Sequence, residues 1–556
     1  MQIIRSLPFL PIAAATWMFA LFLTQQPRAA APQVTGPPPP VPSSHADALF
    51  LTSHDCLACH NGLTTPTGED ASIGVTWAAS IMANSSRDPY WQAAVRRETI
   101  DHPSAAHEIE DECATCHMPM SRTTAKAAGQ LGKVFAHLPI GAGAAEEDRL
   151  AADGVSCTIC HQIGPERLGT PESFTGGFVI SPPTSAGERR MFGPFDVDDG
   201  RKSVMRSATG MTPTEASHVR DSELCATCHT LYTRALGPQG KVIGELPEQM
   251  PFLEWRHSAF QKERSCQSCH MPAVAAPTRM SSVLGEEREG LGRHTFLGGN
   301  FFILRMLNRY RSELGVAALP QELDAAAHAT IAQLQQDTAT VSIVRADAAG
   351  GRIDVEVSVR NLTGHKLPTG YPSRRAWLHV TVRDRENQLV FGSGEITPSG
   401  LIRGNDNDAD AARVEPHYAE IRSEDQVQIY ESVMRDIDGN ITTGLLQATG
   451  YAKDNRLLPR GFDKATAVPD IAVIGAARED ADFIGEGDRV RYSVATPGRA
   501  GPFRIDVELR YQPIAFRWAQ NLKAYNADET RRFVTWFDAM STGSSVVLAR
   551  STASVP

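Results

Sequence analysis

All ten cysteines of the chain fall in five Cys-x-x-Cys-His pentapeptides, and this pattern constrains the fold more than any other feature. The motifs are Cys56-Leu-Ala-Cys59-His60, Cys113-Ala-Thr-Cys116-His117, Cys157-Thr-Ile-Cys160-His161, Cys225-Ala-Thr-Cys228-His229 and Cys266-Gln-Ser-Cys269-His270. This spacing lets two thiols bond to the two vinyl groups of one porphyrin while the adjacent histidine ligates its iron. The sequence therefore predicts five covalently bound haem c groups, each with its motif histidine as the proximal ligand.

Other uses of cysteine explain the pattern less well. A zinc site takes two Cys-x-x-Cys pairs around one metal and needs no histidine directly after each pair. A disulfide framework is typical of short secreted chains, whereas ten cysteines are sparse in a chain of 556 residues. Thioredoxin-like redox pairs would not recur five times.

The N-terminus has the features of an export signal. One positive charge at Arg5 precedes an apolar stretch from Leu7 to Thr24, and small residues suited to cleavage follow at 29–31. We expect residues 1–31 to be a cleaved signal peptide or, alternatively, a retained membrane anchor, and residues 32–45 to be an extended proline-rich linker. Because haem is attached outside the bacterial cytoplasmic membrane, the expected location is the periplasm, either soluble or tethered to the inner membrane.

The distribution of motifs and hydrophobic patterns predicts an α+β, multidomain chain. Residues 46–315 contain all five motifs and are expected to form a mostly helical and loop-rich pentahaem domain, closed by a helix at 301–308. Residues 316–340 are expected to hold a connecting helix that begins at a proline. Residues 341–550 are expected to form a β-rich domain similar to a β-sandwich.

The prediction for the second half rests on alternating apolar and polar residues. In the segment 352–359, Ile353, Val355, Val357 and Val359 would share one face of a strand. Further strands are expected at 377–383, 426–430, 489–494 and 503–511, separated by turns rich in Gly, Asp and Asn. The segment 516–540 is expected to be helical.

Several stretches outside the pentapeptides match a known group of proteins. They are Trp77-Ala-Ala-Ser80-Ile-Met82-Ala83 with Asp88-Pro89, Gly154-Val-Ser-Cys157, His218 before Cys225, Cys266-Gln-Ser-Cys269-His270-Met271-Pro272, Arg293-His294-Thr-Phe-Leu-Gly-Gly-Asn300 and Asn361-Leu-Thr-Gly-His365-Lys-Leu-Pro-Thr-Gly370. They resemble multihaem c-type cytochromes of the group that includes the tetrahaem electron acceptor of hydroxylamine oxidoreductase. The resemblance spans residues 50–375 and is loose beyond them.

The resemblance implies which residues ligate the irons on the distal side. His218, His294 and His365 occupy positions of distal ligands, and Met82 stands where many relatives carry a histidine. Methionine is a competent axial ligand that raises the reduction potential relative to histidine. The alternatives are that Met82 is a core residue on a helix face and that His365 caps a surface turn.

A fifth distal ligand is either absent or one of the remaining histidines. His107 and His137 are the leading candidates, because His107 lies six residues before a motif and His137 lies in an apolar stretch. His257, His54 and His102 are the other candidates.

Two further features concern ions. Asp406, Asp408 and Asp410, followed by Glu415, alternate carboxylates in a turn that could hold Ca²⁺. Because the Gly and terminal Glu of an EF-hand are missing, a solvated turn is the favoured interpretation. The pair at 374–375 and the basic residues of 453–460 could bind haem propionates or form a docking face, with surface salt bridges as the default interpretation.

The sequence favours an electron-transfer cytochrome over two other classes of function. The expected partners are redox proteins, such as a quinol-linked donor or a terminal reductase, and the net charge of −10 argues against nucleic acid. A multihaem oxidoreductase that acts on a small nitrogen or sulfur compound at one open haem is the alternative. Nitrite reduction is disfavoured because pentahaem nitrite reductases use a Cys-x-x-Cys-Lys motif, which this chain lacks. A binding role for the β-rich part, with structural haems, is the third class.

Overall fold

Short helices dominate the first part of the chain, where the five motifs lie. The computed structural model describes residues 48–180 and 189–556, so the expected signal peptide and linker lie outside the described residues. The α-helices are α1 Ser53–Leu57, α2 Ile73–Ala78, α3 Pro89–Asp101, α4 Ala106–His117, α5 Pro119–Ala127, α6 Glu146–Ala152, α7 Cys157–Cys160, α8 Asp199–Thr209, α9 Ser222–His229, α10 Pro251–Arg256, α11 Cys266–His270, α12 Phe301–Arg309, α13 Pro320–Gln336, α14 Asp406–Ala409, α15 Phe516–Asn521 and α16 Asp528–Met540. Within 48–180 and 189–556, no helix combines the length and the apolar character needed to cross a membrane.

Strands occur in both parts of the chain, and most of the long ones lie after residue 338. The strands are β1 Arg189–Gly193, β2 Met211–Glu215, β3 Leu231–Leu236, β4 Val242–Gln249, β5 Thr278–Arg279, β6 Glu287–Arg288, β7 Ala339–Ala349, β8 Arg352–Asn361, β9 Arg375–Arg383, β10 Leu389–Ser393, β11 Glu420–Ile421, β12 Ile429–Arg435, β13 Ile441–Thr442, β14 Gly450–Asp454, β15 Gly487–Ala495, β16 Phe503–Gln512 and β17 Val546–Val555. We call residues 48–315 the motif region and residues 338–556 the strand region.

Two of the longer helices begin with signals that are visible in the sequence. The side chain of Asp88 accepts hydrogen bonds from the backbone N–H groups of Tyr90 and Trp91, and Pro89 occupies the first turn of α3. These contacts satisfy N–H groups that would otherwise lack partners at the start of the helix. At α13, Pro320 again occupies the first turn, and the Glu322 carboxylate accepts the N–H of the preceding Leu319 at 2.8 Å.

The strand region contains two larger sheets. One has the order β13-β12-β9-β16-β17, with β10 also pairing with β9 and β14 with β12, and the other has the order β11-β15-β8-β7. Ile353, Val355, Val357 and Val359 of β8 are each at most 2% exposed and share one buried cluster with residues of β9 and β16. The alternation in the sequence therefore places one face of each sheet in a common core, as expected for a sandwich.

The expected elements in the second half are present, but several further strands also occur there. The predicted strands correspond to β8, β9, β15 and β16, the strand predicted at 426–430 overlaps only the start of β12, and the predicted helices correspond to α12, α13, α15 and α16. Six strands were not anticipated, namely β7, β10, β11, β13, β14 and β17. In β17 polar residues alternate with small ones and much of the strand stays half-exposed. The described residues belong to one compact unit, so the division into two domains stays a prediction.

Candidate functional site

Each Cys-x-x-Cys-His motif forms a single helical turn. Helix α1 ends inside the first motif. Helices α4 and α9 end at the histidines of the second and fourth motifs, and α7 and α11 consist of residues of the third and fifth motifs. On a helix, residues three apart lie on the same side. The two thiols of each motif therefore point in the same direction, with the histidine at the end of the turn.

One large cavity collects these motifs. Its volume is about 2200 Å³, and its walls include all ten cysteines and all five motif histidines. A pocket for a single small molecule is usually no larger than about 1000 Å³. Since the cavity combines this size with paired thiols and imidazoles, the residues present fit several covalently attached haems.

Four of the five motif histidines contact a backbone carbonyl through Nδ1. Nδ1 of His60 lies 2.7 Å from the carbonyl oxygen of Met280, and Nδ1 of His161 lies 2.6 Å from that of Phe192. His117 and His270 make the same kind of contact with the carbonyls of Ser85 and Leu297. An Nδ1–H that donates to a carbonyl leaves the lone pair of Nε2 free for a metal.

Burial keeps several of these imidazoles neutral. It lowers the pKa of His117 and of His229 to about 4, because a charged ring is poorly solvated inside the protein. It lowers the pKa of His294 to about 4 as well. A neutral imidazole is the form that ligates iron, so the environment of these residues suits axial ligation.

Two predicted distal histidines face motif histidines across the cavity. The ring centroids of His161 and His294 are 6.3 Å apart, with an interplanar angle of 25°. Those of His270 and His365 are also 6.3 Å apart, with an angle of 17°. Two imidazoles that share one iron through nitrogens about 2 Å from the metal place their centroids roughly 6 Å apart. His294 thus faces the histidine of the third motif and His365 that of the fifth, at the separation expected for two ligands of one metal.

The two facing histidines also have a free Nε2. Nδ1 of His294 lies 3.0 Å from the carbonyl oxygen of Gly292, and Nδ1 of His365 lies 3.0 Å from that of Lys366. The Thr363 hydroxyl is a second neighbour of His365 Nδ1, at 3.3 Å. Both rings therefore contact a backbone carbonyl through Nδ1, as the motif histidines they face do.

The other two predicted distal ligands, Met82 and His218, are placed differently from His294 and His365. Met82 is half-buried and lines the wall, and its carbonyl oxygen accepts the N–H of Val155, two residues before the third motif. His218 is buried, but its Nε2 lies 2.8 Å from the carbonyl oxygen of Ile163. Only Nδ1 of His218 thus remains for a metal.

The two leading candidates for a fifth distal ligand are not supported by the structure. His137 has both ring nitrogens engaged, with Nδ1 2.7 Å from the Asp148 carboxylate and Nε2 3.3 Å from the Ser121 hydroxyl. His107 is exposed on α4, and neither histidine lines the cavity. Closeness along the chain was a poor guide here, because the α4 surface that carries His107 faces solvent.

The other candidate histidines also lie away from the cavity wall. Nε2 of His257 lies 3.0 Å from the carbonyl oxygen of Asp463, and His54 is exposed. His102 has a buried Nε2 without a hydrogen-bond partner, and burial lowers its pKa. Among the described residues that line the cavity, the histidines are the five of the motifs together with His294 and His365.

Cysteines of different motifs lie next to each other. The thiols of Cys56 and Cys157 lie near enough to shift each other's pKa, which places the first motif beside the third. The pairs Cys116 and Cys228, and Cys225 and Cys266, interact in the same way, which places the second motif beside the fourth and the fourth beside the fifth. The attachment points therefore form two groups of neighbouring motifs.

Trp91 is a site residue that the sequence analysis did not identify. Its indole ring stacks on the imidazole of His117 with centroids 4.3 Å apart and an angle of 5°. Parallel stacking restricts rotation of that imidazole, so Trp91 would help fix the orientation of the second proximal ligand. The one available signal was its position three residues after Asp88, in the first turn of a helix that the sequence marks with Asp88 and Pro89.

Arg374 is the basic residue of the predicted pair that reaches the cavity. It lines the wall, and its Nη1 donates to the carbonyl oxygen of Thr369 at 2.8 Å. No carboxylate among the described residues lies within ion-pair distance of it. Arg375 instead is buried and pairs with Asp408 at 2.9 Å.

The remaining basic candidates form ion pairs within the protein. Lys453 pairs with Glu431, Arg456 with Asp454 and Glu254, and Arg460 with Glu263. These residues are therefore not free to bind haem propionates.

The predicted calcium turn is contradicted by its hydrogen bonds. Asp408 accepts the N–H of Ile402 at 2.8 Å in addition to its ion pair with Arg375. Glu415 accepts the N–H groups of Asp406 and Val427, while Asp410 accepts that of Ala412. Asp406 in turn pairs with Arg413. Since these carboxylates bind donors of the protein itself, they do not converge on a cation.

Comparison with known proteins gives a structural relative. No family model matches the chain, and no curated protein sequence matches it. In three dimensions the chain is similar to the penta-haem cytochrome c552 of Thermochromatium tepidum, with a TM-score of 0.50 and 17% sequence identity over 91% of this chain and 100% of that chain. At this identity the similarity concerns the fold alone, which is of the mixed α+β class.

Proposed function

We propose that the protein is a periplasmic pentahaem c-type cytochrome that transfers electrons between redox partners. The observation that carries this proposal is the convergence of all ten cysteines and all five motif histidines on one cavity. Haem c, when bound, supplies reversible one-electron chemistry. The similarity in fold to a penta-haem cytochrome supports the same conclusion.

The chain would contribute attachment, ligation and shielding from water. The ten thiols would hold five haems, and the contacts between Cys56 and Cys157, and between Cys116 and Cys228, would keep neighbouring haems close. His294 and His365 would be the second axial ligands at the third and fifth motifs. Met82 and His218 remain proposed ligands of the other haems, the latter through Nδ1.

Arg374 is proposed to bind a haem propionate. It lines the cavity without a carboxylate partner from the described residues, although a half-buried guanidinium normally pairs with an anion. A planar guanidinium can make two parallel hydrogen bonds to a carboxylate, which suits a propionate group.

The location and the partners of the protein are also part of the proposal. The apolar N-terminal stretch supports export to the periplasm, with the protein either released or tethered to the inner membrane by residues 1–31. The net charge of −10 favours a redox partner with a basic docking face, such as a quinol-linked donor or a terminal reductase.

Haem content and spin state test the proposal on the purified, full-length protein. Intact mass and the pyridine haemochrome assay should both give five haems per chain, and low-temperature EPR should show mostly low-spin iron. Two or fewer haems per chain would refute the pentahaem proposal. A reference variant with Cys266 and Cys269 changed to Ala should lose one haem.

A second candidate is a multihaem oxidoreductase that acts on a small nitrogen or sulfur compound. It is favoured by one observation: within the described ranges, no second histidine ring stacks against His60, His117 or His229 as His294 does against His161. An iron with an open side can bind and reduce a substrate. One stoichiometric high-spin EPR signal that shifts on addition of nitrite, hydroxylamine or sulfite would favour this candidate over the electron carrier.

A further inference from the structure

The histidine that faces the fifth motif is supplied by a loop of the strand region. This loop follows β8, whose last residue, Asn361, is 3% exposed. The Asn361 side chain donates to the carbonyl oxygens of His365 and Leu457 at 2.8 and 2.9 Å and accepts the N–H of Thr363 at 2.8 Å. The turn that carries His365 is therefore fixed to the strand region by a buried amide.

The next residue, Lys366, connects that histidine to three other parts of the chain. Its carbonyl oxygen lies 3.0 Å from Nδ1 of His365, and its N–H donates to the Glu254 carboxylate of α10 at 3.1 Å. Its Nζ lies 2.8 Å from Asp454 of β14 and 3.2 Å from the carbonyl oxygen of Ala472. The residue whose carbonyl oxygen contacts the His365 ring is thus held through both its backbone N–H and its side chain.

Four buried charges complete this arrangement, which we call the lysine cluster: Lys366, Asp454, Arg456 and Glu254. Arg456 bridges the two acids, at 2.7 Å from Asp454 and 2.9 Å from Glu254. Lys366 and Glu254 are 0% exposed, and the other two are also buried. Two cations and two anions balance, so each charge is compensated although water is excluded.

The pKa of Asp454 agrees with ion pairs inside the lysine cluster. Burial alone would raise the pKa of Asp454, but the nearby charges of Arg456 and Lys366 hold that pKa below its ordinary value. Asp454 therefore stays ionised and remains an anchor for the ammonium group of Lys366.

We propose that Lys366 is a positioning residue whose buried ion pair with Asp454 holds His365 in place as the axial ligand of the fifth haem. The inference rests on the proposed function, since it assumes a haem at the fifth motif. A flexible loop would let the imidazole leave the iron, whereas the anchored peptide of Lys366 fixes the ring 6.3 Å from that of His270. Lys366 does not itself reach the iron.

The test compares two buried lysines with matched surroundings. Lys366→Met keeps the length of the side chain and the backbone hydrogen bonds but removes the ammonium group. Lys453→Met is the control, because Lys453 is 3% exposed and also bridges a carboxylate, Glu431 at 3.0 Å, and a carbonyl, that of Ile429 at 3.0 Å. Lys453 does not contact the His365 loop. The spectrum of Lys453→Met therefore shows the general effect of removing an ammonium group from a buried carboxylate.

The readout is the EPR spin count of the oxidised full-length proteins, each with its haem content measured. We expect Lys366→Met to gain one high-spin haem per chain, which added imidazole returns to low spin, and we expect Lys453→Met to keep the wild-type spectrum. An unchanged spectrum in Lys366→Met, or an equal change in both variants, would overturn the inference. If Lys366→Met does not accumulate, Asp454→Asn replaces it, because this variant removes the same ion pair while keeping an oxygen acceptor. One additional high-spin haem in Asp454→Asn would support the inference, and an unchanged spectrum would overturn it.

A third variant separates this inference from the proposed function. His365→Ala removes the ligand itself and should also give one high-spin haem. If His365→Ala leaves the spectrum unchanged, the assignment of His365 as a ligand fails, and the proposal for Lys366 fails with it. If His365→Ala changes the spectrum and Lys366→Met does not, only the positioning role is refuted.

Discussion

Asp488 provides a test of how burial controls ionisation in the strand region. The carboxylate is 2% exposed and accepts hydrogen bonds from the hydroxyl of Tyr430 at 2.8 Å and the amide of Gln428 at 3.1 Å. No cation among the described residues pairs with it, and Asp480 lies nearby. Burial, with a smaller contribution from Asp480, raises the pKa of Asp488 to about 7. The perturbation we consider is Asp488→Asn.

The size of the effect follows from the difference between the folded and unfolded pKa. An aspartate has a pKa of about 4 in an unfolded chain, so the difference of about three pH units corresponds to about 4 kcal/mol. Because the folded state binds this proton more tightly, the stabilising contribution is complete below pH about 4 and is lost as the pH rises to about 7. Above pH 7 the carboxylate is ionised in both states and the free energy of unfolding no longer changes through it.

The measurement is the free energy of unfolding in urea, followed by far-UV circular dichroism at constant ionic strength from pH 4 to pH 8. The stability of Asp488→Asn relative to wild type should rise by about 4 kcal/mol across this range, since the variant lacks the titrating proton. Asp482→Asn is the matched control, because Asp482 is exposed in the same segment and should show no such trend. A difference between Asp488→Asn and wild type that does not vary with pH would refute the reasoning.

Three further substitutions test the assignments of the site. His294→Ala should convert one low-spin haem per chain to high spin, because its ring faces that of His161; an unchanged EPR spin count would contradict this. Arg375→Met should lower the free energy of unfolding by about 3–5 kcal/mol, because Asp408 is left buried without a partner. Added calcium should not alter the melting temperature of wild type, and stabilisation by calcium would restore the calcium interpretation. His137→Ala should leave the haem spectra unchanged, and a new high-spin signal would show that His137 ligates an iron.

Local features were predictable because they depend on neighbours in the sequence. One helical turn suffices to align the two thiols of a motif, and period-two alternation suffices to place Val355 and Val357 in the core. The start of α13 at Pro320 followed from helix-capping rules. The pattern of β17 was less informative, because a strand paired along one edge and half-exposed carries little alternation.

The pairing of ligands was not predictable, because it depends on contacts between distant segments. His294 and His365 were identified by resemblance, but which motif each faces is decided by how the segments around α12 and β8 pack. His137 illustrates the opposite case, since an apolar setting in the sequence concealed a hydrogen bond to Asp148. The stacking of Trp91 on His117 likewise joins two helices whose relative placement the sequence does not encode locally.

The origin of His365 in the strand region has a practical consequence for anyone who purifies this protein. A chain that ends after α13 would keep every Cys-x-x-Cys-His motif, so it could carry a full set of haems and look complete by mass and by Soret absorbance. It would nevertheless lack the imidazole that faces His270. Under the proposed function, haem content would certify attachment only, whereas the spin state of the fifth haem would report whether the strand region has folded.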